Sequence, residues 1–202
     1  MMSPQPVANR LGQVSRKTGE TSVELTLDLD GRGLAEIESP AGFLNHMLTL
    51  LARHGSMDLA VKAAGDTQVD LHHTVEDIGI CLGQAIDKAL GAKEGITRFA
   101  SASVPMDEAL ADVAVDLSGR PFLAYEVKFP GERIGEFETE LIQEFLQAVV
   151  THARMTLHVT VPYGANDHHI AEAIFKALAR TLKAAVARDP RVTGTPSTKG
   201  VL

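Results

Sequence analysis

"FLNHMLTLLARHGSMDLAV", residues 43–61, lies on "LIQEFLQAVVTHARMTLHV", residues 141–159, without a gap at an offset of 98. Leu44 meets Ile142, Met47 meets Phe145, Leu48 meets Leu146 and Leu59 meets Leu157. Just downstream, "HHTVED" and "HHIAEA" match at an offset of 96, the intervening loop having lost two residues. Upstream, "TSVELTLDL" corresponds loosely to "RPFLAYEVKF". Any two helix–strand–helix stretches agree in their apolar positions. The coincidence of both His-His-x-x-Glu motifs makes internal duplication the better reading.

The elements follow from periodicity. "GQVSRKTGETSVELTLDLDGRG" reads as two strands around a turn at Gly19, with Val23, Leu25, Leu27 and Leu29 alternating with polar residues. "LAEIES" is a third strand, "GFLNHMLTLLARHG" a helix stopped by Gly55, "SMDLAVKAAGD" a strand, and "TVEDIGICLGQAIDKALG" a helix ended at Gly91. The fold class expected is α+β: duplicated βββαβα units with mostly antiparallel sheets and helices on one face. The first half takes residues 8–95 and the second, with the C-terminal tail, residues 96–202, together one catalytic domain.

Composition narrows the function. The 202 residues are 45% hydrophobic and 22% charged, as in an ordinary globular domain. A net charge of −7 argues against nucleic-acid and anionic-membrane binding, and aromatics at 4% with no Trp leave few platforms for stacking bases. No apolar run reaches the roughly 18–20 residues that span a bilayer. "MMSPQPVANR" lacks the regions of a signal peptide. The single Cys81 cannot staple the fold and sits among apolar residues as an inert core thiol, so a reducing cytoplasm is the expected location.

Residues four apart share a helix face, while adjacent ones diverge by about 100°. His72 and Glu76 can therefore grip one ion, with His73 turned away. His168, Glu172 and His169 repeat the arrangement. Two metals follow, each chelated by a His/Glu pair, and each outward histidine completes the other motif's site. Imidazole with carboxylate suits Mn, Fe or Zn, and carboxylate-rich six-coordinate sites lean to Mn. A single motif could be a solvated helix start with chance histidines; two matched copies outweigh that. His46 and Glu144 are equivalent under the offset and both are ligand types, so they are the missing ligands rather than packed core residues. His54 and His152 also match, at helix ends where they can cap carbonyls. His158, in an apolar strand, reads as a core histidine or one supporting a ligand. The runs "GITRF", "SGRPF" and "PSTKG" each set one basic residue in a turn, the setting a phosphate needs, although each alone would be a solvated surface charge. Lys176, one turn past Glu172, can reach the metal site.

"GFLNHMLTLL", "DLHHTVEDIG", "GITRFA…VPMDEAL", "DLSGRPF", "NDHHIAEAIFKALARTLKAA" and "PSTKGVL" resemble the signature blocks of the imidazoleglycerol-phosphate dehydratases of histidine biosynthesis, from about residue 8 to the C-terminus. The resemblance implies a fold like domain 2 of ribosomal protein S5, and a hydro-lyase converting imidazoleglycerol phosphate to imidazoleacetol phosphate with two Mn2+ per site. One ion would take His46, His73, His168 and Glu172. The other would take His72, Glu76, His169 and the residue at 144, where many members have His and this chain has Glu144. The phosphate cradle maps onto Arg98, Arg120, Lys176, Ser197 and Lys199. His46 and His54 join these as substrate-binding positions. Glu20, in the hairpin turn, matches a substrate-contacting residue, and Glu20 or Glu172 carries the proton, with His72 and His73 beside them in the catalytic set. An ion on a ring nitrogen would favour the imidazolate, whose electrons expel the neighbouring hydroxyl. The family also implies a 24-subunit shell in which neighbouring chains complete each site. That would resolve a difficulty, because side-by-side halves are expected to hold their helices apart. Two other classes compete: a dinuclear hydrolase of a phosphorylated small molecule, which would want bridging Asp-rich loops, and a metal-stabilised oligomer without catalysis, which would not need the phosphate cradle.

Overall fold

A computed structural model of the chain describes residues 10–200 and 202. The leading nine residues, including positions 8 and 9 of the expected first half, and Val201 of the "PSTKGVL" tail lie outside the described residues. The first half comprises β1 (Leu11–Lys17), β2 (Thr21–Asp28), β3 (Ala35–Glu38), α1 (Gly42–Gly55), β4 (Asp58–Gly65) and α2 (His72–Leu90). The second comprises β5 (Phe99–Met106), β6 (Ala109–Asp116), β7 (Phe122–Glu126), a short hairpin of β8 (Arg133–Ile134) and β9 (Phe137–Glu138), then α3 (Leu141–Ala153), β10 (Thr156–Tyr163) and α4 (Asp167–Ala185).

Alternation makes the strands. In β2, Thr21, Val23, Leu25 and Leu27 point inward while Ser22 and Glu24 face out. The helices carry the 3.6-residue period, with Leu44, Met47, Leu48 and Leu51 buried along α1. Gly55 is the last residue of α1 and not its stop; Ser56 makes the left-handed turn, with φ +52. Arg154, 98 residues on, does the same after α3 with φ +53. Equivalent turns at non-glycine residues show that the duplicated backbone persists where the side chains have changed.

The two sheets have matching orders, β1-β2-β4-β3 and β5-β6-β10-β7. In each, the third strand pairs in parallel and the other pairs are antiparallel. This corrects one expected correspondence. Leu27 faces Leu59 in the first sheet, and Val115 faces Leu157 in the second. "TSVELTLDL" therefore matches "ALADVAVDL" at an offset of 88, while "RPFLAYEVKF" provides β7, the counterpart of β3. Both candidates carry a strand-like pattern; neighbour relations in the sheet decide between them.

Helices α1 and α2 cover the first sheet, and α3 and α4 the second. The halves meet through these helices, α1 on α4 and α2 on α3. Residues from both halves form one continuous apolar core. Among the described residues no helix is long and apolar enough to cross a membrane. The α2–α3 approach depends on two glycines of "GICLG". A Cβ on Gly79 would come within 2.8 Å of the Phe145 carbonyl oxygen, and one on Gly83 within 2.6 Å of that of Val149. Gly83→Val should push the helices apart. Overpacking of about 1–3 kcal/mol outweighs the helix-propensity gain of under about 1 kcal/mol. Thermal unfolding should show a Tm lower by roughly 2–10 °C; an unchanged or higher Tm would mean that the helices can separate without cost.

Candidate metal centre

Helix α4 begins at Asn166, whose side chain accepts hydrogen bonds from the His168 and His169 backbone N–H groups. One turn in, Glu172 is nearly buried, its side chain 12% exposed. Its Oε1 lies 2.9 Å from His46 Nε2 of α1 and 3.2 Å from His168 Nε2. Its Oε2 accepts a 2.5 Å hydrogen bond from Lys176 Nζ. Burial alone would raise the Glu172 carboxyl, but the bonds from Lys176, His46 and His168 outweigh it and hold the group at about 2. The result is a carboxylate ionised near neutral pH with two imidazole nitrogens beside one oxygen.

The start of α2 differs. Asp70 accepts from the His72 backbone N–H. His73 Nδ1 sits 3.0 Å from Asp66 and 3.8 Å from Glu20 of the β1–β2 turn. The Asp66 contact raises the His73 pKa. In the second half, His169 Nδ1 lies 2.7 Å from Glu108, whose other oxygen accepts from the Ala165 and Asn166 backbone N–H groups. The same contact raises the His169 pKa and holds the exposed Glu108 at about 2. Both outward histidines thus have Nδ1 engaged by a carboxylate, and His169 Nε2 lies 3.9 Å from Asp107. One ring nitrogen held by a carboxylate is the usual arrangement of a metal-ligating histidine. Asp66 and Glu108 escaped the sequence reading. Asp66 read only as a turn residue, and Glu108 stood within "VPMDEAL" with no signal linking it to a histidine 61 residues away.

Among the described residues two groups of three bring ligand atoms within 4.8 Å of one another: His46, His168 and Glu172; and Glu20, Asp66 and His73. The expectation that one chain would hold the helices of its halves apart is corrected by the first group, because α1 packs directly on α4. His72, Glu76, Glu144 and His169 form no such group. Packing explains this. The seam between α2 and α3 repeats that between α4 and α1, and puts Glu76 and Glu144 where Glu172 and His46 stand. Two carboxylates repel where a histidine and a carboxylate attract. Glu144 also lies in the first turn of α3, where the helix dipole favours a negative charge.

The basic residues fall into two sets. Arg98, with an unusual φ of +72, donates to Asp116 at 2.7 and 3.2 Å and to the Pro196 carbonyl at 2.8 Å. Arg120 lies 3.8 Å from the same Asp116, and the Ser197 hydroxyl accepts from the Lys199 backbone N–H. Lys176 stands apart with Glu172 and Met106. The Arg98 backbone N–H is bonded to Ala185, roughly 14 Å along α4 from Lys176 at 1.5 Å per residue. His54 is exposed near the end of α1, its pKa lowered by burial of its ring and by the Lys176 and Arg180 charges. His158 is corrected: it points out from β10 beside Phe122, between buried Leu157 and Val159, and does not enter the core. Cys81 is fully buried and its thiol is pushed up to about 11, as an inert core residue requires.

A duplicated α+β domain that gathers histidines and a buried, ionised glutamate across its seam is organised as an enzyme. Comparison with known proteins gives the class. The family model described as imidazoleglycerol-phosphate dehydratase matches residues 39–182. Curated proteins of that name from Shouchella clausii and from Rhodopseudomonas palustris strain TIE-1 are each 56% identical, over 94% and 96% of this chain and 97% and 98% of their own. The crystal structure of the Staphylococcus aureus imidazoleglycerol-phosphate dehydratase superposes with a TM-score of 0.81 at 40% identity, covering 89% of this chain and 99% of that one. The Pyrococcus furiosus structure, titled as a complex with (S)-C348, gives 0.80 at 36%, covering 94% and 100%. The chain is therefore a hydro-lyase. It belongs to the imidazoleglycerol-phosphate dehydratase family.

Glu108 ties the β5–β6 turn to the start of α4. Glu108→Ala should speed amide hydrogen exchange at Ala165 and Asn166 in metal-free protein, while the α4 interior stays protected. Equal exchange in parent and variant would show that the Asn166 cap alone fixes this end.

Proposed function

We propose that the chain dehydrates imidazoleglycerol phosphate to imidazoleacetol phosphate in histidine biosynthesis, with two Mn2+ per site. The observation that carries this is the convergence of His46 and His168, from opposite halves, on a single oxygen of Glu172. The donors fit a borderline cation: two imidazole nitrogens, a carboxylate held in its ionised form, and two more histidines fixed through Nδ1. His46, His168, Glu172 and His73 would hold one ion; His72, Glu76, His169 and Glu144 the other. Bound Mn2+ would supply Lewis acidity to the substrate ring.

The chain's own groups divide the remaining work. Lys176, Arg98, Arg120, Ser197 and Lys199 bind the phosphate, and His54 borders the Lys176 end. Glu20 carries the proton. Its carboxylate is 58% exposed at a hairpin tip 3.8 Å from His73, whereas both oxygens of Glu172 are engaged. The hydroxyl on the carbon attached to the imidazole departs as water, the proton leaves the neighbouring hydroxyl-bearing carbon, and the resulting enol becomes the ketone when the ring-attached carbon takes up a proton.

The family resemblance implies a shell of 24 subunits, and two separations within the chain support sites shared between copies. His73 stands with Glu20 and Asp66, apart from the His46 group. Lys176 and Arg98 are directed to opposite ends of α4. A second copy of the chain would complete both sets.

Supplied with imidazoleglycerol phosphate and Mn2+, the protein should form the ketone and retain two ions per chain by elemental analysis, with one ion lost in His168→Ala. Release of inorganic phosphate, no turnover, or one ion in active protein would overturn the reading. Lys199→Ala should weaken phosphate binding by roughly 1.5–3 kcal/mol, about ten- to a hundredfold in KM, with metal content intact. An unchanged KM would return Lys199 to the solvated surface.

A further inference from the structure

The buried Asp77 of α2 takes no part in the site described above, yet both of its carboxylate oxygens are hydrogen-bonded. Its Oδ1 accepts a 2.8 Å hydrogen bond from Arg16 Nε in β1, and its Oδ2 accepts one from the Thr21 hydroxyl at the start of β2. The Thr18 hydroxyl lies 3.2 Å from that of Thr21 and accepts from the Glu20 and Thr21 backbone N–H groups at 3.1 and 2.9 Å. The network runs without a break from α2, one residue past Glu76, to the peptide of Glu20.

The duplicated half provides an internal control. At the strand offset of 88, Arg16, Thr21 and Glu20 fall on Val104, Ala109 and Glu108. At the helix offset of 96, Asp77 falls on Ala173. Ala109 and Ala173 are both buried there. The fold therefore builds the same hairpin on the same helix with apolar residues at every position of the network. Replacing a buried ion pair by well-packed apolar groups is often neutral or stabilising, so stability alone does not account for the polar set. What differs is the hairpin glutamate. Glu108 bonds its histidine directly at 2.7 Å, and that bond fixes the turn. Glu20 stands 3.8 Å from His73, whose Nδ1 is occupied by Asp66. A glutamate that must stay free of its histidine needs its backbone held some other way.

We propose that Asp77, Thr21 and Arg16 are positioning residues that hold the Glu20 hairpin at a fixed separation from His73, leaving the Glu20 carboxylate unbonded for proton transfer. This rests on the reading that Glu20 carries the proton. A misplacement of about 1 Å in such a group can cost about a hundredfold in rate.

The test grafts the sister half's residues. The triple variant Arg16→Val/Thr21→Ala/Asp77→Ala should fold with a Tm near that of the parent and retain its Mn2+ and its KM. Its kcat should fall by about tenfold or more, and the amides of Glu20 and Thr21 should exchange faster in metal-free protein. Thr21→Val should lower kcat in the same direction, and Thr21→Ser, which keeps the hydroxyl, should restore it. Parent kcat in Thr21→Val and in the triple variant, alongside a Glu20→Gln variant that loses turnover, overturns the positioning role. Full turnover in Glu20→Gln overturns the role of Glu20 instead. In that case the amide exchange judges the link, and exchange in the triple variant equal to the parent's overturns it.

Discussion

Everything at the site depends on how closely the helices of the two halves approach. His46 and Glu172 lie 126 positions apart, and they meet because α1 lies against α4. Side-chain volume sets that approach. On α2, Gly79 and Gly83 admit the Phe145 and Val149 carbonyl oxygens of α3. With bulkier residues the halves would move apart, and the two His-His-x-x-Glu motifs would be ordinary helix starts facing solvent. The apolar core and the reactive cluster are thus consequences of one packing geometry.

That geometry also sets the electrostatics. Enclosing Glu172 between two helices removes water that would otherwise stabilise its charge, a cost of several kcal/mol for an uncompensated ion. Lys176 and the two imidazoles offset this, and the balance falls on the ionised side. The sister position has no such balance. Glu76 and Glu144, the equivalents of Glu172 and His46, remain half-buried on α2 and α3. Two equivalent positions of the repeat therefore differ in their charge balance.

Much of this could be read from the chain. Strand and helix patterns located β1 to β4, α1 and α2, the internal repeat carried α1 and α2 onto α3 and α4, and the repeated motif singled out the histidines and Glu172. Strand neighbours could not be read, since "RPFLAYEVKF" and "ALADVAVDL" are equally strand-like and only pairing with β10 distinguishes them. Asp66, Glu108 and Asp77 stayed hidden because an acid near a turn or within a helix has no local mark of its partner. Asp77 meets Arg16 across 61 positions. The outward turn of His158, by contrast, was legible: in "LHV" it alternates with two core residues, and the period of two assigns it to the outer face.

The corrected register gives the duplication a sharper meaning. Glu20 and Glu108 are one position seen twice, each at the tip of a hairpin and each beside the outward histidine of its own half. In the second half the pair has closed into a hydrogen bond, and the acid also caps the backbone entering α4. In the first half Asp66 has taken the histidine, and the acid is left exposed. A carboxylate bonded to an imidazole and two amides is a poor proton carrier, because those bonds stabilise its ionised form and must be broken or weakened before it can accept. A carboxylate with its backbone fixed and its oxygens free avoids that cost. The two halves thus treat equivalent acids differently, the second fixing its glutamate in hydrogen bonds and the first leaving its glutamate exposed.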